Sequence, residues 1–176
     1  MNAKERTKLS KRMSYVLRHN PSEVGLELSE AGWVSVIEFL RALDIDFETL
    51  EEVVTTNDKQ RFEFNEDATM IRASQGHSVD VNLGYSPADP PDVLYHGTSS
   101  SVVPTILAEG LRPMSRHHVH MSADEQTAAA VGLRRREKMT ILKIDTRGMQ
   151  RTGHVFYRST NGVWLTDFVP PRYISV

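Results

Sequence analysis

The chain has 176 residues, of which 39% are hydrophobic and 25% charged, the proportions of an ordinary globular protein. Its net charge of −2 means that a polyanion would have to be met by local basic clusters, not by the field of the whole chain. There is no cysteine, which excludes disulfides and thiolate metal sites and fits a reducing compartment.

No run of about 18 apolar residues occurs, so no membrane-spanning helix is expected. The basic start MNAKERTKLSKR lacks the apolar stretch of a secretory signal. A cytoplasmic protein is the expectation. From Lys4 to His19 the apolar residues Leu9, Met13, Val16 and Leu17 recur at helical spacing, and Asn20-Pro21 stops the helix. Leu26-Glu27-Leu28 reads as a short strand, and Trp33-Val34 as another extended entry. Ser35 caps a helix with Val36, Phe39, Leu40 and Leu43 on one face. Phe47 to Thr55 forms the next helix, with Leu50, Val53 and Val54 inward. Arg61 to Phe64 and Met70 to Ala73 read as strands around the turn Asn65 to Thr69. Helix, strand, two helices and a hairpin is the order of a winged helix, a fold that binds nucleic acid or protein.

From Ser74 to Asp92 periodicity disappears while glycine and proline accumulate, as in a linker. Beyond it, Val93 to Thr98 is a strand expected to end in a turn at Gly97. Val102 to Glu109 is a helix closed by Gly110, and Asp124 to Arg136 an alanine-rich helix. Thr140 to Asp145, His154 to Tyr157, Val163 to Thr166 and Tyr173 to Val176 are strands, two of them joined by the turn Asn161-Gly162. The second half is therefore α+β with short, antiparallel strands.

Between Gly110 and Asp124 lies the row Met114-Ser115-Arg116-His117-His118-Val119-His120-Met121-Ser122, with three of the seven histidines. As a strand it puts Arg116, His118, His120 and Ser122 on one face and Val119, Met121 and Ala123 on the other. A guanidinium, two imidazoles and a hydroxyl on one face suit an anion. A zinc site using His96, His118 and His120 is the alternative, opposed by the charge of Arg116 and by the lack of obvious carboxylates nearby, and no metal is expected. Arg18-His19 admits two readings, a cation pair at a helix C-terminus or an anion site continued by Lys4, Lys8, Lys11 and Arg12. Arg61 alternates away from Phe62 and Phe64, towards solvent or another lobe. His96-Gly97-Thr98 and His120-Met121-Ser122 are paired H-x-[ST] motifs, as in metal-free two-histidine phosphodiesterases that act on RNA ends by acid–base chemistry. Their close spacing counts against two symmetric halves. A non-catalytic winged-helix protein that binds nucleic acid or ADP-ribose is a third reading.

Six segments in order resemble the NAD-dependent RNA 2′-phosphotransferases of KptA type. They are Leu17 to Pro21, Asp58 to Phe62, Ile71 to Ser78, Tyr95 to Thr98, Ser115 to Ser122 and Asn161 to Thr166. Met121, where leucine is usual, and the basic Arg134-Arg135-Arg136 are the departures. The resemblance implies a winged-helix RNA-binding lobe (1–78), a linker (79–92) and an ADP-ribosyltransferase-like NAD-binding lobe (93–176), with the active site between the lobes. It implies that an internal RNA 2′-phosphate, as at a tRNA splice junction, attacks NAD and expels nicotinamide. The resulting RNA-2′-phospho-ADP-ribose then resolves to 2′-hydroxyl RNA and ADP-ribose 1″,2″-cyclic phosphate. The family's catalytic group falls on Arg18, His19, Arg61 and Arg116. His96, Gly97, Thr98, His118, His120 and Ser122 are expected to line the NAD cleft. Gln75-Gly76-His77 would position RNA or stitch the lobes together. Nothing in the sequence demands more than a monomer.

Overall fold

The computed structural model describes residues 1–132 and 138–176. Helix α1 (Ala3–Arg18) starts at Asn2, whose side chain accepts from the backbone N–H groups of Lys4 and Glu5, while Glu5 accepts from the N–H of Asn2. This reciprocal cap satisfies donors that a helix start leaves without partners. Met13, Val16 and Leu17 are fully buried on one face. The helix stops at His19 because Pro21 has no N–H to continue it, and residues Pro21–Val24 tighten into a 3-10 turn. Leu26 to Leu28, expected as a strand, is not one. The alternation is real, since Leu26 is buried and Leu28 packs on the same core, but no neighbouring strand pairs with them. Leu26 N–H instead closes the turn onto Pro21 O.

Strand β1 (Val34–Ser35) leads into α2 (Val36–Leu43), capped by the Ser35 hydroxyl. The Asp46 carboxylate caps α3 (Phe47–Thr55) through Thr49 N–H at 2.8 Å. Strands β2 (Phe62–Phe64) and β3 (Met70–Ala73) form the hairpin, and the antiparallel sheet runs β1-β3-β2. Phe39, Leu50 and Ile71 join α1 in one core, where removing a fully buried ring costs about 3–5 kcal/mol. Residues from Ser74 onward are fastened to this unit: Ser74 N–H bonds Arg61 O, Ser78 and Val79 N–H bond Arg18 O, and Asn82 N–H bonds Glu30 O. The first unit is Met1–Gly84 and the second Tyr85–Val176.

In the second unit, β4 (Val93–Ser99) does not turn at Gly97. It continues to Ser99, because its partner strand pairs with it along the whole length, from Val93↔Asp145 to Ser99↔Met139. Next come α4 (Val103–Glu109), β5 (Val119–Met121) and α5 (Glu125–Gly132). The remainder of the helix expected to reach Arg136 lies outside the described residues. Strand β6 (Met139–Asp145) pairs with β4, and the Asp145 carboxylate caps α6 (Thr146–Arg151) through Gly148 N–H. Sequence periodicity misses α6 because it is one and a half turns long, with only Thr146 and Met149 buried. Strand β7 (Tyr157–Arg158) begins later than expected, since His154 to Phe156 make no ladder. It pairs with β8 (Trp164–Thr166) across a loop in which Gly162 adopts φ 80°. Strand β9 (Ile174–Ser175) ends the chain beside β6. The sheets run β4-β6-β9 and β5-β8-β7, joined by the antiparallel bridge Tyr95↔Ser122. Leu94, Leu142, Ile144, Met149, Phe156 and Trp164 form their core. Helices with small antiparallel sheets make the chain α+β. No helix among the described residues is long and apolar enough to cross a membrane.

Candidate active-site residues

Arg18, His19 and Arg61 come together in the first unit although 43 residues separate the two arginines. Arg18 is the last residue of α1, and its guanidinium donates to Arg61 O at 3.5 Å. Only 8% of it is exposed, so this cation sits at the edge of the core beneath the 74–79 segment. His19 is exposed at the helix C-cap, with Nδ1 2.9 Å from Ser78 Oγ. Because Ser78 Oγ donates to Arg18 O at 3.4 Å, it is set to accept from His19, which favours the Nδ1–H tautomer. Arg61 is not simply exposed. It is half-buried, and Asn57 Oδ1 accepts from both its backbone N–H (3.4 Å) and its guanidinium (3.1 Å). Asn57 in turn donates to Ser10 Oγ on α1 at 3.1 Å, tying the Arg61 loop to the helix that carries Arg18. His77 is buried, packed near Gly32 in the first unit, and Gly76 takes φ 86°.

In the second unit the expected strand from Arg116 to Ser122 shrinks to Val119–Met121. Met114 adopts φ 57° and Arg116 N–H bonds Pro113 O, so Arg116 and His118 lie in turns and bends and not on a ladder. The core face is as expected for Val119 and Met121, at 3% and 2% exposure, whereas Ala123 is exposed because β5 has already ended. Arg116 still reaches the histidine row. Its guanidinium, which can only donate, donates to His120 Nδ1 at 2.9 Å, so Nδ1 is the accepting nitrogen and Nε2 carries the ring N–H. The backbone carbonyl of His120 then accepts from His96 Nδ1 at 2.8 Å, which leaves His96 Nε2 as the lone-pair nitrogen. Arg116 and His96 therefore both bond to His120, one to its ring and the other to its backbone carbonyl. Burial pushes the His96 pKa below 6.5; the bond to His120 O opposes this and the Arg116 charge adds to it. Thr98 shares the β4 face of His96, and Gly97 lies between them in the ladder. Ser122 contributes its backbone to the bridge with Tyr95, at 2.8 and 2.9 Å.

His118 has different company. Its ring meets Tyr157 edge-on at 5.6 Å and Tyr85 at 6.4 Å, and Nε2 is 3.5 Å from Asp167 Oδ1. Burial lowers its pKa, Asp167 works against that, and His117 adds to it. Sequence reasoning passed over Tyr85, Tyr157 and Asp167. The register Val119↔Thr166 sets Asp167 across from His118, and only strand pairing carries that information. Among the described residues no group of three or more His, Cys, Asp or Glu is arranged to hold a metal ion. What the second-unit residues offer is a cation, a ring nitrogen that accepts and another that donates, a set suited to hydroxyls and anionic oxygens.

The profile of one family, described as RNA 2′-phosphotransferase, Tpt1 / KptA family, matches residues 4–168. A protein of Trichormus variabilis named probable RNA 2′-phosphotransferase is 50% identical, with 100% of this chain and 99% of its own length covered. Proteins of the same name from Acaryochloris marina (48% identical, 94% and 93% covered) and Flavobacterium johnsoniae (48%, 99% and 98%) are similar to the chain in the same way.

Proposed function

Because the chain belongs to the Tpt1/KptA family of RNA 2′-phosphotransferases, we propose that it removes an internal 2′-phosphate from RNA by transferring it to NAD. The products are 2′-hydroxyl RNA, nicotinamide and ADP-ribose 1″,2″-cyclic phosphate. The match over residues 4–168 carries this reading. The first unit, with helix, strand, two helices and hairpin in that order, is read as a winged-helix lobe, and the second as an ADP-ribosyltransferase-like lobe. NAD suits the second-unit residues by their chemistry. A ribose hydroxyl donates and accepts, matching the His96 Nε2 lone pair and the His120 Nε2–H, and a pyrophosphate only accepts, matching Arg116. Gly97, Thr98, His118 and Ser122 complete the proposed NAD-binding set.

When bound, NAD supplies an electrophilic anomeric carbon and nicotinamide as leaving group. A phosphate monoester is largely dianionic near neutral pH, its second pKa being about 6, so it needs no general base to be a nucleophile. Arg18, Arg61 and Arg116 bind the phosphate through guanidinium forks and stabilise the charge that gathers at phosphorus. His19, in an imidazole's task near neutral pH, gives a proton to the RNA 2′-oxygen as that oxygen leaves phosphorus and the adjacent ribose 2″-hydroxyl, losing its own proton to solvent, takes its place.

The test is incubation of 2′-phosphorylated RNA with the protein, with and without NAD. Nicotinamide and cyclic-phosphorylated ADP-ribose are expected only with NAD. Loss of the 2′-phosphate without NAD, or no reaction from folded protein with NAD present, overturns the reading.

A further inference from the structure

We propose that the outward face of α1 is a track for the single-stranded RNA flanking the 2′-phosphate, with Lys4, Lys8 and Lys11 on backbone phosphates and Tyr15 stacked on a base. The proposal rests on the phosphotransferase reading and extends it from the reacting phosphate to the strand around it.

The chain carries a net charge of −2, yet α1 alone has six lysines and arginines against one acid, Glu5. Those six divide by what they meet. Arg6 pairs with Glu52 at 3.6 Å, Arg12 with Glu23 at 2.6 Å, and Arg18 is buried. Lys4, Lys8 and Lys11 are exposed, and among the described residues no carboxylate lies within ion-pairing distance of any of them. At 3.6 residues per turn, positions 4, 8, 11 and 15 form one stripe, opposite the buried Met13 and Val16. Tyr15 ends the stripe, 43% exposed as a residue, its hydroxyl held by Asn20 Nδ2 at 3.3 Å and Arg12 lying 6.0 Å from the ring centroid. The next ring along is His19, 6.3 Å from Tyr15. Three cations and an aromatic platform thus lead to the residue proposed to protonate the RNA 2′-oxygen.

Spaced point charges followed by a stacking ring are what a single strand requires of its partner. Lys4 to Tyr15 spans about 16 Å at 1.5 Å per residue, room for about five nucleotides at a 3.4 Å rise. An anionic membrane is the less suitable occupant, because the apolar side of this helix is already in the core and none remains to enter lipid.

The probe is a fluorescent 10-mer RNA without a 2′-phosphate, titrated by anisotropy over a range of salt. Replacing Lys4, Lys8 and Lys11 by Gln, which has similar helix propensity, should reduce the log–log salt slope by about 2, three phosphates at about 0.7 each. Tyr15→Ala should weaken binding about 5–100-fold and Tyr15→Phe should keep it, since the ring and not the hydroxyl stacks. In transfer assays the preference of the wild type for a 2′-phosphorylated 10-mer over a dinucleotide should collapse in the triple variant. An unchanged slope and affinity in a triple variant of native circular dichroism overturns the track, as does binding to phosphatidylserine vesicles but not to RNA. RNA binding with the full slope but no transfer to NAD supports the track and overturns the phosphotransferase reading, so the two fail separately.

Discussion

His96 is bonded to His120 O and Arg61 to Asn57 among others, and both residues can be probed. His96 has a folded-state pKa below 6.5 chiefly because it is buried, so the unfolded chain takes up the proton first as pH falls. Its contribution to stability is present above about pH 6.5 and is lost as pH falls towards the depressed value. Tm measured by calorimetry should therefore decline as pH falls below about 6.5, less steeply in H96Q; an identical decline would assign the effect elsewhere. Arg61 depends on Asn57, whose single amide binds its backbone, its guanidinium and α1. Asn57→Ala should raise KM for 2′-phosphorylated RNA more than it lowers kcat, with Asn57→Asp, which keeps the acceptor oxygen, recovering part of the loss. For His19, the proposed role in proton transfer predicts that His19→Ala still releases nicotinamide while 2′-hydroxyl RNA lags behind it, which a dual-product time course would reveal. The identities of these residues were legible in the sequence, but their partners were not. Nothing local says that Arg61 half-buries itself against Asn57, or that Tyr157 and Asp167 converge on His118.

At the scale of elements, the helices α1, α2 and α3 follow from apolar spacing and caps within one or two residues, because both signals are local. Strands were less faithful to their pattern. Leu26 to Leu28 alternates and buries its leucines yet has no partner, and β4 runs through a glycine that looked like a turn because β6 pairs all along it. The segment before β5 is the sharpest departure. Alternation places Arg116 on the histidine face by periodicity, whereas the bend at Pro113 to Arg116 delivers the guanidinium to His120 by a different route. That bend is anchored at Gly110, which has φ 88°, and by the two-way bonding of Leu111 with Val169. A Cβ at Gly110 would collide with Val169 O and the Phe168 ring. Gly110→Ala should thus cost more than about 1 kcal/mol in denaturant unfolding, and lower transfer activity beyond what the unfolded fraction explains. Equal stability would mean the backbone there shifts freely.

For the molecule as a whole, the residues of the proposed catalytic group fall in both units, Arg18, His19 and Arg61 in the first and Arg116 in the second, and the pair within one unit can be tested directly. Arg18 and Arg61 meet within the first unit, so Arg18→Ala and Arg61→Ala should each lower kcat by about 10²–10³, and the double variant should lose little more than the worse single one. Fully additive losses would separate their roles. Bulk charge gave no hint of such a phosphate site, because a net −2 hides the local surplus on α1. Ordered motifs did, since six short segments spread along the chain are hard to reproduce by chance and each names its residue types directly. The sequence by itself therefore determined helices α1 to α4, the α+β class, the absence of thiol chemistry and the family. Only the tertiary structure decided that Arg116 stands on a bend, that His96 and His120 hold defined tautomers, and that His118 rests between tyrosines beside an aspartate. The reason is range. Periodicity and capping depend on neighbours within a turn or a pleat, whereas hydrogen-bond partners and strand register depend on residues that only the folded chain brings within 3 Å.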